Sequence, residues 1–145
     1  MTEPADIVTL PNGVRLAFDP IPRLRSAALG VWLDAGAADE TADVNGLAHF
    51  LEHMAFKGAA GLSARAIAEA AEARGADLNA ATDYERTSYT ARCLADDAPA
   101  MLDLVLSLVF APDHPPSEID REKHVVLQEI GEAADVGNVL GPAGV

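Results

Sequence analysis

Short apolar runs, separated by glycine, proline and acidic residues, follow one another along the chain, and their period switches between two residues and about 3.6. Ile7 to Leu10 and Val14 to Phe18 flank Pro11-Asn12-Gly13, and Asn-Gly between two such runs predicts a hairpin. From Ser26 to Ala35 the residues Ala27, Leu29, Val31 and Leu33 alternate with Ala28, Gly30, Trp32 and Asp34, which predicts a third strand with its larger aliphatic residues on one face. The spacing then turns helical. Leu47, Phe50, Leu51 and Met54 predict a helix over Gly46 to Lys57, stopped by Gly58. Ser63 is placed to cap a second helix through Ile67, Ala70, Ala71 and Ala73, which Gly75 ends. Asp77 to Ala81 and Thr87 to Leu94 read as a strand pair around the polar turn Thr82 to Arg86. Asp96 or Asp97 is placed to cap a third helix carrying Met101, Leu104, Val105 and Leu108, and Pro112 ends it. Ser117-Glu118-Ile119-Asp120 fits a capping-box-like start to a fourth helix reaching about Ile130. The expected fold class is α+β, a mostly antiparallel sheet with helices packed on it. Trp32, Phe50 and Cys93 are expected in the core, His114 in an exposed loop and His124 on the surface of the fourth helix.

Composition narrows the function classes. The 145 residues amount to one domain or part of one, and 50% of them are apolar, enough to bury a core. Ten Lys and Arg against 23 Asp and Glu leave a net charge of −13, which argues against nucleic acid and against an anionic membrane surface and favours cationic or unfolded-chain partners. Met101 to Phe110, interrupted by Asp103 and Ser107, is the longest apolar run and falls short of the about 20 residues that span a bilayer. The acidic start Met1 to Asp6 has no secretory or transit character, and Cys93 has no partner for an internal disulfide, so a cytoplasmic location is expected. Val136 to Val145 holds three glycines and no periodicity, and is set apart as a tail behind residues 1–135.

The chemistry lies in His49-Phe50-Leu51-Glu52-His53. Two imidazoles four residues apart stand on one helix face, one turn from each other, where they can grip one metal ion. Glu52 falls on the same flank. This HxxEH word inverts the HExxH of zincins, in which the histidines hold zinc and the glutamate is general base toward the water that the metal activates. A catalytic zinc site needs a third protein ligand and an open position. Glu122 and Glu129, seven residues apart on the fourth helix and therefore pointing the same way, are the candidates.

Asn45-Gly46-Leu47-Ala48-His49-Phe50-Leu51-Glu52-His53-Met54-Ala55-Phe56-Lys57-Gly58 resembles the zinc helix of the pitrilysin/insulysin family of zinc peptidases, which includes the mitochondrial processing peptidases. Arg121 to Ile130 resembles that family's distal helix. The resemblance implies Zn2+ held by His49, His53 and Glu129, with Glu52 activating water and Glu122 supporting the site from behind. Gly75 to Thr82 resembles the stretch whose edge strand binds substrate backbone, which implies that Asn79 and Ala80 hold an extended peptide. Residues 1–135 then correspond to the N-terminal part of a processing-peptidase-like domain, a half-domain. The function implied is zinc-dependent hydrolysis of a peptide or unfolded protein within a chamber that a second domain or subunit completes, the chain being inactive alone. The alternative is a catalytically silent partner or scaffold subunit. S-ribosylhomocysteine lyase shares the HxxEH word, but it needs a cysteine ligand and a second catalytic cysteine, and Cys93 stands alone in a predicted strand.

Overall fold

The computed structural model describes residues 6–139. The N-terminal hairpin forms as expected from β1 (Asp6–Thr9) and β2 (Arg15–Phe18), paired antiparallel with Ile7 opposite Ala17. Gly13 takes φ +87°, and Asn12 Oδ1 accepts from the Val14 N–H at 3.2 Å, which closes the turn. Every strand of the hairpin is exposed, so it stands off the rest of the fold.

The central sheet is antiparallel throughout, in the order β3 (Ser26–Leu33), β7 (Thr87–Leu94), β6 (Asp77–Thr82). Its register puts Leu29 opposite Ala91 and Ala91 opposite Leu78, so one face collects Leu29, Val31, Leu78, Ala80, Tyr89, Ala91 and Cys93. Against that face packs α3 (Ala98–Phe110), which inserts Met101, Leu104, Val105 and Leu108 at helical spacing. Ile67 and Ala71 of α2 (Ala64–Glu72) close the same core. The alternation that buries these residues turns Trp32 outward. At 62% exposure it is not the core residue expected of it; its ring lies over Gly30, where an added Cβ would come 3.0 Å from the indole. Phe50 is half-buried and Cys93 is buried.

Helix ends follow the sequence with three corrections. Ser63 caps α2, its Oγ accepting from the Ala66 N–H at 3.3 Å, and Gly75 leaves the helix at φ +57°. Asp97 sits at the start of α3 without capping it; its carboxylate faces Arg74 at 3.7 Å, and the proline in the first turn removes one of the free N–H groups there. The fourth helix, α4 (Pro116–Val139), starts at Pro116 rather than behind a Ser117 cap and runs past Ile130, because one glycine at 131 costs only about 1 kcal/mol against alanine and does not break a helix. The expected tail from Val136 is thus helical in its backbone to Val139, and residues 140–145, like 1–5, lie outside the described residues. A two-residue-per-strand hairpin, β4 (Gly58–Ala59) with β5 (Leu62–Ser63), follows α1 (Leu47–Ala55) and is too short to leave a periodic signal. His114 is half-buried at φ +43° with Nδ1 enclosed, not the exposed loop residue expected. His124 is exposed on α4 as expected.

Candidate metal centre

The site begins with how α1 is started. Gly46 takes φ +89°, a conformation that L side chains rarely adopt, and its carbonyl accepts the first helical bond from Phe50 at 3.0 Å. Gly46 has no side chain to cap the free N–H groups, so Glu40 does it from upstream: its two oxygens accept from the Gly46 N–H at 2.6 Å and the Ala48 N–H at 2.7 Å. Those hydrogen bonds, led by Ala48, hold the Glu40 carboxyl below its ordinary value. The strap before it is hung on the β6–β7 turn, where Ala37 and Ala38 donate to the carbonyls of Asp83 at 3.2 Å and Tyr84 at 2.7 Å. Gly36 approaches that turn so closely that a Cβ would meet Asp83 O at 2.6 Å. Sequence reading missed Glu40, and the signal was indirect: a helix whose first position offers no capping side chain, behind an acid-rich approach. Glu40→Ala is expected to lower the thermal unfolding midpoint at neutral pH. Because the folded carboxyl lies low, its contribution is full above its ordinary value of 4.5 and is lost as pH falls through the lowered one, so the gap between variant and parent should close in acid. Thermal melts across that range check both statements.

Across α1 lies α4. His53 faces Glu122 and His49 faces Glu129, while a Cβ added at Gly46 would meet Ile130 Cδ1 at 4.0 Å, so rising numbers on one helix meet falling numbers on the other and the two are antiparallel. Val126, one turn from each glutamate, is buried and seats α4. The three atoms His49 Nε2, His53 Nε2 and Glu129 Oε2 form a triangle with sides of 3.1, 3.5 and 3.6 Å. Ligand atoms about 2.0–2.2 Å from zinc in a tetrahedron stand about 3.4 Å apart, so the triangle has the size of one tetrahedral face. The donor set, two imidazoles and a carboxylate, suits zinc, and the triangle opens toward solvent on the side of Glu129, which is 45% exposed.

Glu122 is a different kind of acid. It is 5% exposed, with Oε2 3.2 Å from His53 Nδ1 and Oε1 2.6 Å from Lys57 Nζ. Burial pushes its carboxyl up, and the hydrogen bonds and charges of Lys57 and His53 outweigh that, leaving it below the ordinary range. A proton on His53 Nδ1 donated to Oε2 leaves the Nε2 lone pair facing His49 and Glu129. Equal spacing in sequence gave the two glutamates one face; burial gives them different surroundings.

Glu52 is half-buried on α1 between the histidines, and its charge, after burial itself, helps to push the Tyr89 hydroxyl up to about 12. Tyr89 stacks on Phe56 with ring centres 6.4 Å apart. Asn79 and Ala80 lie outside the cluster, on β6 beside α1; Asn79 is exposed on the outer face opposite Thr90, and Ala80 points inward opposite Tyr89. Among the described residues β6 has β7 on one side and no strand on the other.

Fold and site together define an α+β domain with a two-helix cluster of side chains that could hold a metal ion. The family model described as insulinase (peptidase family M16) matches residues 16–139, and the chain belongs to that family. It is 43% identical over 122 residues to the zinc protease YmxG of Bacillus subtilis, covering 84% of this chain and 30% of that protein. It is 41% identical over 124 residues to the beta subunit of the mitochondrial-processing peptidase of Lentinula edodes, covering 86% and 27%. Among solved structures, a protease from Helicobacter pylori superposes with a TM-score of 0.81 at 25% identity, covering 86% of this chain and 30% of that one. The chain thus spans roughly a third or less of the length of these relatives.

Proposed function

We propose that this chain carries the zinc-binding half of a metalloendopeptidase that hydrolyses internal bonds of peptides or unfolded proteins. The observation that carries the reading is the triangle of His49 Nε2, His53 Nε2 and Glu129 Oε2, with Glu52 on the same helix as both histidines. His49, His53 and Glu129 would hold the metal. Bound zinc supplies Lewis acidity, bringing the ionisation of water near neutral pH and polarising a carbonyl.

The remaining work falls to the chain's own side chains. Glu52 takes the proton from the attacking water on its carboxylate and can hand it to the leaving amine nitrogen, the two proton transfers that amide hydrolysis requires. Glu122 accepts from His53 Nδ1 and keeps that ring turned so that Nε2 stays with the other two ligands. The side of β6 that has no neighbouring strand among the described residues would pair its main chain with an extended peptide, and Asn79 and Ala80 of that strand would help to hold one. Substrates with cationic stretches suit a chain of charge −13. A second domain or subunit completes the chamber, in keeping with relatives about three times as long. The intact set of histidines and glutamates speaks against a partner subunit that has given up catalysis.

The test is hydrolysis of an unstructured peptide by the chain together with its completing domain or subunit. Activity should disappear when a chelator removes zinc and return when zinc is restored. Hydrolysis that survives complete metal removal would contradict the reading, and stoichiometric zinc without any hydrolysis would favour the silent partner.

A further inference from the structure

Directly after α1, Lys57 donates its backbone N–H to Met54 O at 3.0 Å, which fixes where the side chain starts. The chain beyond it is fixed too, because Gly58 is buried and a Cβ there would stand 3.2 Å from Asp113 Cβ. From this point the Lys57 stem carries its ammonium to Glu122 Oε1 at 2.6 Å, with the lysine side chain 28% exposed and the glutamate 7%. Glu122 therefore has two partners on two oxygens, Lys57 on one and His53 Nδ1 on the other. Among the described residues, Lys57 is the one Lys or Arg within ion-pair distance of Glu122.

A carboxylate turns easily about its last bond, since that torsion is broad and nearly two-fold. Held by a single imidazole N–H, Glu122 could turn or withdraw, and His53 would then have no reason to keep its proton on Nδ1 rather than Nε2. A proton on Nε2 removes the lone pair that faces His49 and Glu129. The second anchor prevents this. The ammonium is a compact point charge, here shielded from most of the solvent, so the contact is stronger than an exposed ion pair.

We propose that Lys57 is a positioning residue of the metal centre: by holding Glu122 Oε1 it keeps Oε2 on His53 Nδ1, and so keeps the Nε2 lone pair of His53 directed at the other two ligands. The proposal rests on the reading of His49, His53 and Glu129 as a zinc site, and two readouts separate the two. The first is zinc affinity, measured by competition with a chromophoric chelator. The second is the tautomer of His53 in the metal-free chain, read from long-range 1H–15N spectra above the histidine titration range. Lys57→Met is expected to bind zinc about 10- to 100-fold more weakly, the range that loss of a ligand's supporting partner costs, and to show His53 as a mixture of tautomers. Lys57→Arg should recover most of the affinity and the Nδ1–H form, since the charge and donors return. Lys57→Gln, which keeps a donor without the charge and should fall in between, carries the comparison if the methionine variant does not fold. Parental affinity together with an unchanged Nδ1–H tautomer in Lys57→Met or Lys57→Gln would overturn the proposal. If the parent chain binds no zinc, the zinc reading fails, while the tautomer spectra still decide whether Lys57 positions His53.

Discussion

Replacing His53 with alanine should abolish stoichiometric zinc binding, weakening affinity by more than about 100-fold, which exceeds what loss of a supporting partner costs. Of the three candidate ligands His53 is the least exposed, and it is bound into the structure from both ring nitrogens: Nδ1 faces the buried Glu122, and Nε2 lies 3.1 Å from His49 Nε2 and 3.6 Å from Glu129 Oε2. Alanine removes a ligand and also leaves Glu122 with Lys57 as its remaining partner. Equilibrium dialysis against zinc, with metal content read by mass spectrometry and folding checked by circular dichroism, measures the loss. A folded His53→Ala chain that keeps one zinc at parental affinity would remove His53 from the ligand set.

Glu52→Gln should separate binding from chemistry. Glutamine keeps the shape of the side chain and loses the basic oxygen, and Glu52 is not among the atoms of the triangle, so zinc content should stay at the parental level. Turnover should fall by about 10²- to 10⁴-fold, the contribution of a positioned general base. The assay is peptide hydrolysis in the preparation in which the parent chain cleaves, with zinc content determined on the same sample. Parental turnover in a zinc-loaded Glu52→Gln protein would refute the assignment of Glu52 as base.

Local pattern made the middle of this fold readable. Alternation over residues 26–33 and 87–94, and helical spacing through Met101 and Leu108, were each strong enough to set the element and its inward face. Chemistry made half the site readable, because a four-residue histidine spacing on a helix is itself a statement about geometry. Glu129 was readable from residues alone only as one of two acids on a face, and its selection over Glu122 at that stage came from the family resemblance. What separates them physically is depth: α4 lies antiparallel to α1, which brings Glu122 to the buried end near Lys57 and leaves Glu129 at the solvent edge beside His49. Glu40 and Lys57 were not legible because each acts through a contact that depends on how the chain returns on itself: a strap hung on the β6–β7 turn in one case and a helix–helix crossing in the other. Trp32 was misplaced for a related reason. Its position on an apolar-periodic strand suggested the core, while register assigned it to the outer face with Ser88 opposite.

The central claim is that His49, His53 and Glu129 make one metal site, and zinc K-edge X-ray absorption on the purified, folded chain tests it most directly. The account predicts one zinc per chain in a four-coordinate shell of nitrogen and oxygen, with two imidazoles visible in the outer scattering and the signal lost in His49→Ala. A folded chain without zinc, or a zinc shell lacking the two imidazoles, would contradict it.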